Sequence, residues 1–120
     1  MKYLLTIILS FLIILVPTAS HAGSFACQGK ISTLAINPIG GTLQVDAGHG
    51  VHYLCKIHIE HNGIHPDICK AWYSMFLTAK VAGKEVKQNY DNTAGTEQNC
   101  AELGTWTVPN PMPYFIEILD

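Results

Sequence analysis

Five histidines fall between residues 49 and 65: His49, His52, His58, His61 and His65, with Glu60 and Asp67 beside them. Imidazole nitrogens with a carboxylate are the ligand set of zinc and copper sites. Spacing argues against one shared site. His52 and His58 have the same strand parity but lie six residues apart, or ~20 Å at strand rise. His58, His61 and His65 flank the turn-forming pair Asn62-Gly63 and are the candidates for a surface metal. The plainer account is a set of exposed histidines on a polar strand face and turn. These titrate near pH 6.5 and would make the surface responsive to mild acid. That account is the expectation, with no metal and no cofactor.

Nucleophilic chemistry finds little to work with. Ser74 has no flanking elbow glycines. Carboxylates are scattered over different segments rather than paired. Gly40-Gly41 and Gly48-His49-Gly50 join short strand-like runs and do not open a helix, so no phosphate-cradling loop is present. The expectation is therefore that the chain is not an enzyme. Aromatic residues offer a different chemistry. Trp72, Tyr73, Tyr90, Trp106, Tyr114 and Phe115 lie in the second half, and sugars are often held by an aromatic face with polar side chains beside it. Trp72 and Phe76 read equally well as core, and Trp106 as a cover for one end of a barrel.

The element that must position these groups is the run Pro66 to Gly83. Pro66 suits a first helical position, and Asp67 places a carboxylate in the first turn. Ile68, Trp72, Met75, Phe76 and Ala79 recur at the spacing of a buried face, opposite the polar stripe Lys70, Ser74 and Thr78. Gly83 follows the last periodic residue and suits a left-handed cap. Before the helix, residues 30–36 and 42–47 read as a hairpin around the turn 37–41. Residues 51–59 are the clearest strand, with Val51, Tyr53, Cys55, Ile57 and Ile59 on one face. His52, Lys56, His58 and Glu60 take the other, with Leu54 as the exception. After the helix, residues 85–90 read as a strand, then 91–98 as a loop. Residues 105–108 and 114–119 are strand-like, interrupted by Pro109, Pro111 and Pro113. The expected fold is thus α+β and mostly β. The order matches a small five-stranded barrel of the oligonucleotide/oligosaccharide-binding (OB) type, with one helix between strands 3 and 4, and a plain α+β sandwich fits the same string.

Compartment is read from the start of the chain. Lys2 precedes an almost unbroken apolar run, and Ser20-His21-Ala22 offers small residues for cleavage, so residues 1–22 read as a secretory signal processed near Ala22. The run is short for a stable membrane span. Residues 23–120 form a single secreted domain, which places the protein outside the cell or in the periplasm. All four cysteines lie in that part, and an even count in a secreted chain reads as two disulfides. Three connectivities are open. The favoured one joins Cys55 to Cys69, strand to helix start, and Cys27 to Cys100, the two ends of the domain. The net charge is −2, becoming −3 once Lys2 is removed, and no arginine is present. Nucleic acid is therefore not an expected partner.

The pattern Leu54-Cys55, then Ile68-Cys69 opening the helix, Ala79, Gly83-Lys84-Glu85-Val86, and on through Tyr90 and Cys100 to Trp106 resembles small secreted bacterial proteins. More distantly it is similar to the binding subunits of subtilase-cytotoxin and pertussis-like toxins. The resemblance covers about half of the secreted part. It implies an oligosaccharide-binding barrel, assembly as a homo-oligomer (a pentamer around the helices), recognition of host glycans, and a separate catalytic chain. No pocket residue of that family is carried over to this sequence. The expected function is a non-enzymatic binding protein with a glycan or protein ligand. An inhibitor of an enzyme such as a lysozyme is the alternative, and a metal-binding protein using the His49–His65 cluster is the second.

Overall fold

The computed structural model describes residues 23–93 and 95–120. The signal sequence expected at residues 1–22 lies outside the described residues. Among the described residues, six strands form two antiparallel three-stranded sheets. Strands β1 (Gly23–Lys30), β5 (Glu85–Asn92) and β6 (Pro113–Ile118) make one sheet, with β5 central. Strands β2 (Thr33–Ile36), β3 (Thr42–Asp46) and β4 (Val51–Lys56) make the other, with β3 central. Helix α1 (Pro66–Ala82) lies between β4 and β5 in sequence. It packs against both sheets. A 3₁₀ turn, Cys100–Leu103, precedes β6.

The fold is therefore mostly β with one helix, but a closed five-stranded barrel is not formed. The strand expected over residues 30–36 begins earlier and is divided. Residues 23–30 pair with β5, and only Ile31 and Ser32 separate them from β2 in the other sheet. Ile31 is buried in the core at this crossover. The Lys80 ammonium donates to the carbonyls of Ile31 and Ser32 at 3.3 and 3.2 Å, so the last turn of the helix holds the chain where it changes sheets. Residues 105–108 make no full strand. They contribute one parallel bridge, Thr107 to His52.

Helix α1 starts and stops by side-chain and backbone capping. His65 is the N-cap, its Nδ1 accepting from the Asp67 amide at 3.2 Å, and Pro66 follows where a missing N–H costs nothing. Gly83 takes φ 66°, and the Lys84 amide reaches back to the Ala79 carbonyl at 2.9 Å. The buried face differs from the expected one. Cys69, Phe76 and Ala79 are buried, whereas Ile68 is 49% exposed. The Cys55–Cys69 disulfide supplies the reason. It draws Cys69 inward and rotates its neighbour Ile68 away by one helical step of about 100°.

The main core joins Ile31, Leu43, Val45, Leu54, Phe76, Val86 and Ile116 between the helix and the two sheets. A second, smaller cluster gathers Cys27, Tyr90 and Leu103 with Phe25 and Cys100 under the other disulfide. Cys27–Cys100 spans 73 residues of sequence and ties β1 to the 3₁₀ turn. Cys55–Cys69 spans 14. Such bonds persist in oxidising compartments, outside the cell or in the periplasm. No helix among the described residues is long and apolar enough to cross a membrane.

One irregularity reorganises β4. Cys55 pairs with Leu43 and Tyr53 with Gln44, so Leu54 is an extra residue, a β-bulge. The bulge lets Leu54 and Cys55 both turn inward. It also reverses the parity of the residues before it. His52, expected on the polar face with Lys56 and His58, is buried at 1% exposure, and Tyr53, expected on the core face, turns to the outer side.

Candidate functional site

Residues directly opposite in an antiparallel ladder project from the same face. Ala35, Gln44 and Tyr53 are such partners across β2, β3 and β4, and Thr42 opposes Lys56. Their outward row meets the turn before β3. There the Asn37 carboxamide oxygen accepts from the amides of Ile39 and Gly40 at 2.8 and 3.2 Å, an Asx turn. The Gly41 amide donates to the Asn37 carbonyl at 2.7 Å with φ 65°. A Cβ there would lie 2.6 Å from Nδ1 of His58, so the turn requires glycine.

Turn and sheet together enclose an open groove of about 290 Å³ lined by Asn37, Thr42, Gln44 and Tyr53. The lining is one aromatic face with amides and hydroxyls, and none of the four carries a formal charge. Asn37 Nδ2, the Thr42 hydroxyl, the Gln44 carboxamide and the Tyr53 hydroxyl make no hydrogen bond among the described residues. Such a surface offers donors, acceptors and a ring face to a ligand rich in hydroxyls.

The histidines divide. His58, His61 and His65 are not brought together, and among the described residues no group of three or more His, Cys, Asp or Glu side chains could hold a metal ion. His65 is engaged as the helix cap and His58 lies against Gly41. His61 pairs with Ile64 around the Asn62-Gly63 turn, where both φ values are positive. The structure thus places these three histidines in separate local settings rather than in one cluster.

His49 and His52 instead turn inward, where the two sheets meet. Their ring centroids are 5.2 Å apart. Nε2 of His52 donates to the Gly104 carbonyl at 3.1 Å, and Nε2 of His49 lies 3.3 Å from the Tyr90 hydroxyl. Nδ1 of His49 is buried without a hydrogen-bond partner among the described residues. Burial, and then the neighbouring His52, holds the His49 pKa below the usual imidazole range. The Ala47 carbonyl and Asp46 oppose this shift, although the carbonyl does not meet Nδ1 in hydrogen-bond geometry. Burial lowers His52 as well, against the Gly104 carbonyl and Asp46. Tyr90 is pushed up by burial, its ring stacked on Phe25 at 5.0 Å. Burial thus favours the neutral forms of both imidazoles and of the phenol in this polar seam between the sheets.

The aromatic residues also divide. Trp72 and Tyr73 pack against the main core and Tyr90 fills the second cluster. Trp106, Tyr114 and Phe115 are more than half exposed. Trp106 does not cover an end of the molecule. The groove residues were not singled out from sequence, because Thr42 and Gln44 read as the solvated half of an alternating strand. Comparison with protein-family models, with curated proteins and with solved structures finds no match to this chain.

Proposed function

We propose that the protein is a secreted or periplasmic, non-enzymatic binding protein whose ligand is a glycan. The observation that carries this reading is the uncharged groove of Asn37, Thr42, Gln44 and Tyr53, with free polar groups around an aromatic face. Strand order supports it. With β1 and β2 counted as one strand bent at Ile31-Ser32, the order of elements supports reading the two sheets as a partly open OB-like arrangement with its helix after the third strand. The groove then lies on the second and third strands beside the first loop, the surface that OB folds use for oligosaccharides. In its toxin-subunit form the reading includes a homo-oligomer, a pentamer around the helices, serving a separate catalytic chain.

A glycan array probed with the wild-type domain and with Tyr53→Ala tests this function. Binding to a defined set of glycans that Tyr53→Ala abolishes is the expected result. A silent array, or binding indifferent to Tyr53, rejects it. The second reading, an inhibitor of an enzyme such as a lysozyme, is favoured by Tyr114 and Phe115, exposed on the edge strand β6. Inhibition of a muralytic enzyme that Phe115→Ala relieves would move the assignment there.

A further inference from the structure

Two non-glycine residues among those described have positive φ, Asn62 and Trp106. Asparagine tolerates that conformation in a turn, whereas a bulky side chain at φ 55° is a strained exception. Burial does not offset the strain, because Trp106 is 63% exposed. The surrounding chain imposes it. The Trp106 amide donates to the Val51 carbonyl at 2.7 Å, and the Tyr53 amide donates to the Thr107 carbonyl at 2.9 Å. The Val51 amide donates to the Thr105 hydroxyl at 2.9 Å, and His52 holds the Gly104 carbonyl. Gly50 makes room for this clamp, since a Cβ there would lie 2.2 Å from the Gly104 oxygen.

These bonds fix residues 104–107 along the free edge of β4, directly beside Tyr53. Thr107 pairs with His52 and so faces inward, and the next residue, Val108, is 40% exposed in line with Tyr53. The outer surface that starts at the Asn37 turn therefore continues past Tyr53 to Val108, and Trp106 of the same short segment stands mostly in water at positive φ. Backbone strain held by a rigid frame clusters at functional sites, and here it motivates a ligand-contacting role for the exposed indole.

We propose that Trp106 is a second ligand-contacting residue, stacking on a sugar unit beyond the one held at Tyr53. The ligand is then an oligosaccharide lying across the strands, from the Asn37 turn to residues 104–108. This inference rests on the glycan reading of the groove.

The test uses arrayed glycans of one to four sugar units that share a terminal unit, probed with wild type, Trp106→Gly, Trp106→Phe and Tyr53→Ala. Wild-type affinity is expected to rise with length. Trp106→Gly should lose about tenfold on the three- and four-unit glycans and nothing on the single unit. Trp106→Phe should keep most of the gain with length, and Tyr53→Ala should lose binding at every length. Because glycine takes φ 55° without strain, Trp106→Gly should also melt at a higher temperature than wild type, which separates lost contact from lost folding. If Trp106→Gly matches wild type at all lengths while Tyr53→Ala does not, the Trp106 proposal falls and the groove stands. An equal loss at every length also overturns it, since Trp106 would then act through the first unit or the fold. A wild-type array with no signal removes the glycan reading, and this inference with it.

Discussion

His49 and His52 bring their imidazoles to 5.2 Å, inclined at 59°, at the junction of the two sheets. Tyr90 of β5 closes one side of the pair and the Gly104 carbonyl the other, so these rings connect both sheets with the chain that carries Trp106. A charge placed on either ring would be buried, and a second charge would face the first.

That pair predicts acid lability. Both histidines have folded-state pKa values below the ordinary 6.5, chiefly through burial. Asp46 and the carbonyls of Ala47 and Gly104 reduce the shifts without reversing them. The unfolded chain therefore takes up protons first as pH falls. Their contribution to stability is complete above pH 6.5 and declines as pH drops from 6.5 through the lowered values. Thermal melts at pH 7.5, 6 and 5 should show a falling midpoint, and His49→Phe should reduce the slope. A midpoint independent of pH over that range, or an unchanged slope in His49→Phe, contradicts the account.

Two glycines are predicted to be irreplaceable on steric grounds. A Cβ on Gly29 of β1 would lie 2.1 Å from the Ala47 carbonyl oxygen, and one on Gly50 2.2 Å from that of Gly104. Both neighbours are backbone, so neither can swing aside. Gly50 also has φ 114°, a value that L side chains avoid. Gly29→Ala and Gly50→Ala should each cost on the order of 2 kcal/mol or more in urea unfolding. Gly63→Ala is the control, with φ 75° but nothing within 4 Å, and should cost about 1 kcal/mol. Losses at Gly29 and Gly50 no larger than at Gly63 would show that the close backbone contacts do not decide.

The disulfides should separate by loop length and by access. In the chain-entropy account the 14-residue link is worth about 3 kcal/mol and the 73-residue link about 4.5 kcal/mol. Cys55 and Cys69 are fully buried, while Cys100 is half-buried. Mild reductant should therefore open Cys27–Cys100 first, freeing the 3₁₀ turn from β1. Mass mapping of alkylated thiols during a reductant titration checks the order. Cys55 or Cys69 labelling ahead of Cys100 would reverse it.

The helix, its caps and most strand positions were legible in sequence because each depends on local chemistry. Pro66, Asp67 and Gly83 mark the helix ends, and alternation in residues 42–46 marks β3. What was not legible depends on contacts distant in sequence. Leu54 stood out as an exception to alternation in β4, but only its pairing opposite Leu43 and Gln44 shows it to be a bulge. That single residue turns His52 into the interior and Tyr53 outward to the groove. Pairing of residues 23–30 with β5 was hidden for a similar reason. Gly23, Ser24, Gln28 and Gly29 give that stretch a weak strand pattern, and eight register partners along β5 supply its order. The groove residues look like any polar strand face until the Asn37 turn is folded over them.

Rotation of the helix face gives the sharpest test of packing. The sequence period put Ile68 and Phe76 on one buried face, yet Phe76 has no exposed surface and Ile68 is 49% exposed. Phe76 touches the main core between the helix and both sheets, so Phe76→Ala should cost about 3–5 kcal/mol by lost transfer energy and the cavity left behind. Ile68→Ala removes a side chain already half in water, and should cost well under half as much, about 1 kcal/mol. Chemical denaturation of both variants at pH 7.5 keeps the histidine pair neutral and isolates packing. A large loss for Ile68→Ala in a monomeric domain would restore the helix face expected from sequence. The same loss only in an assembled form would mean that Ile68 is covered by a second chain.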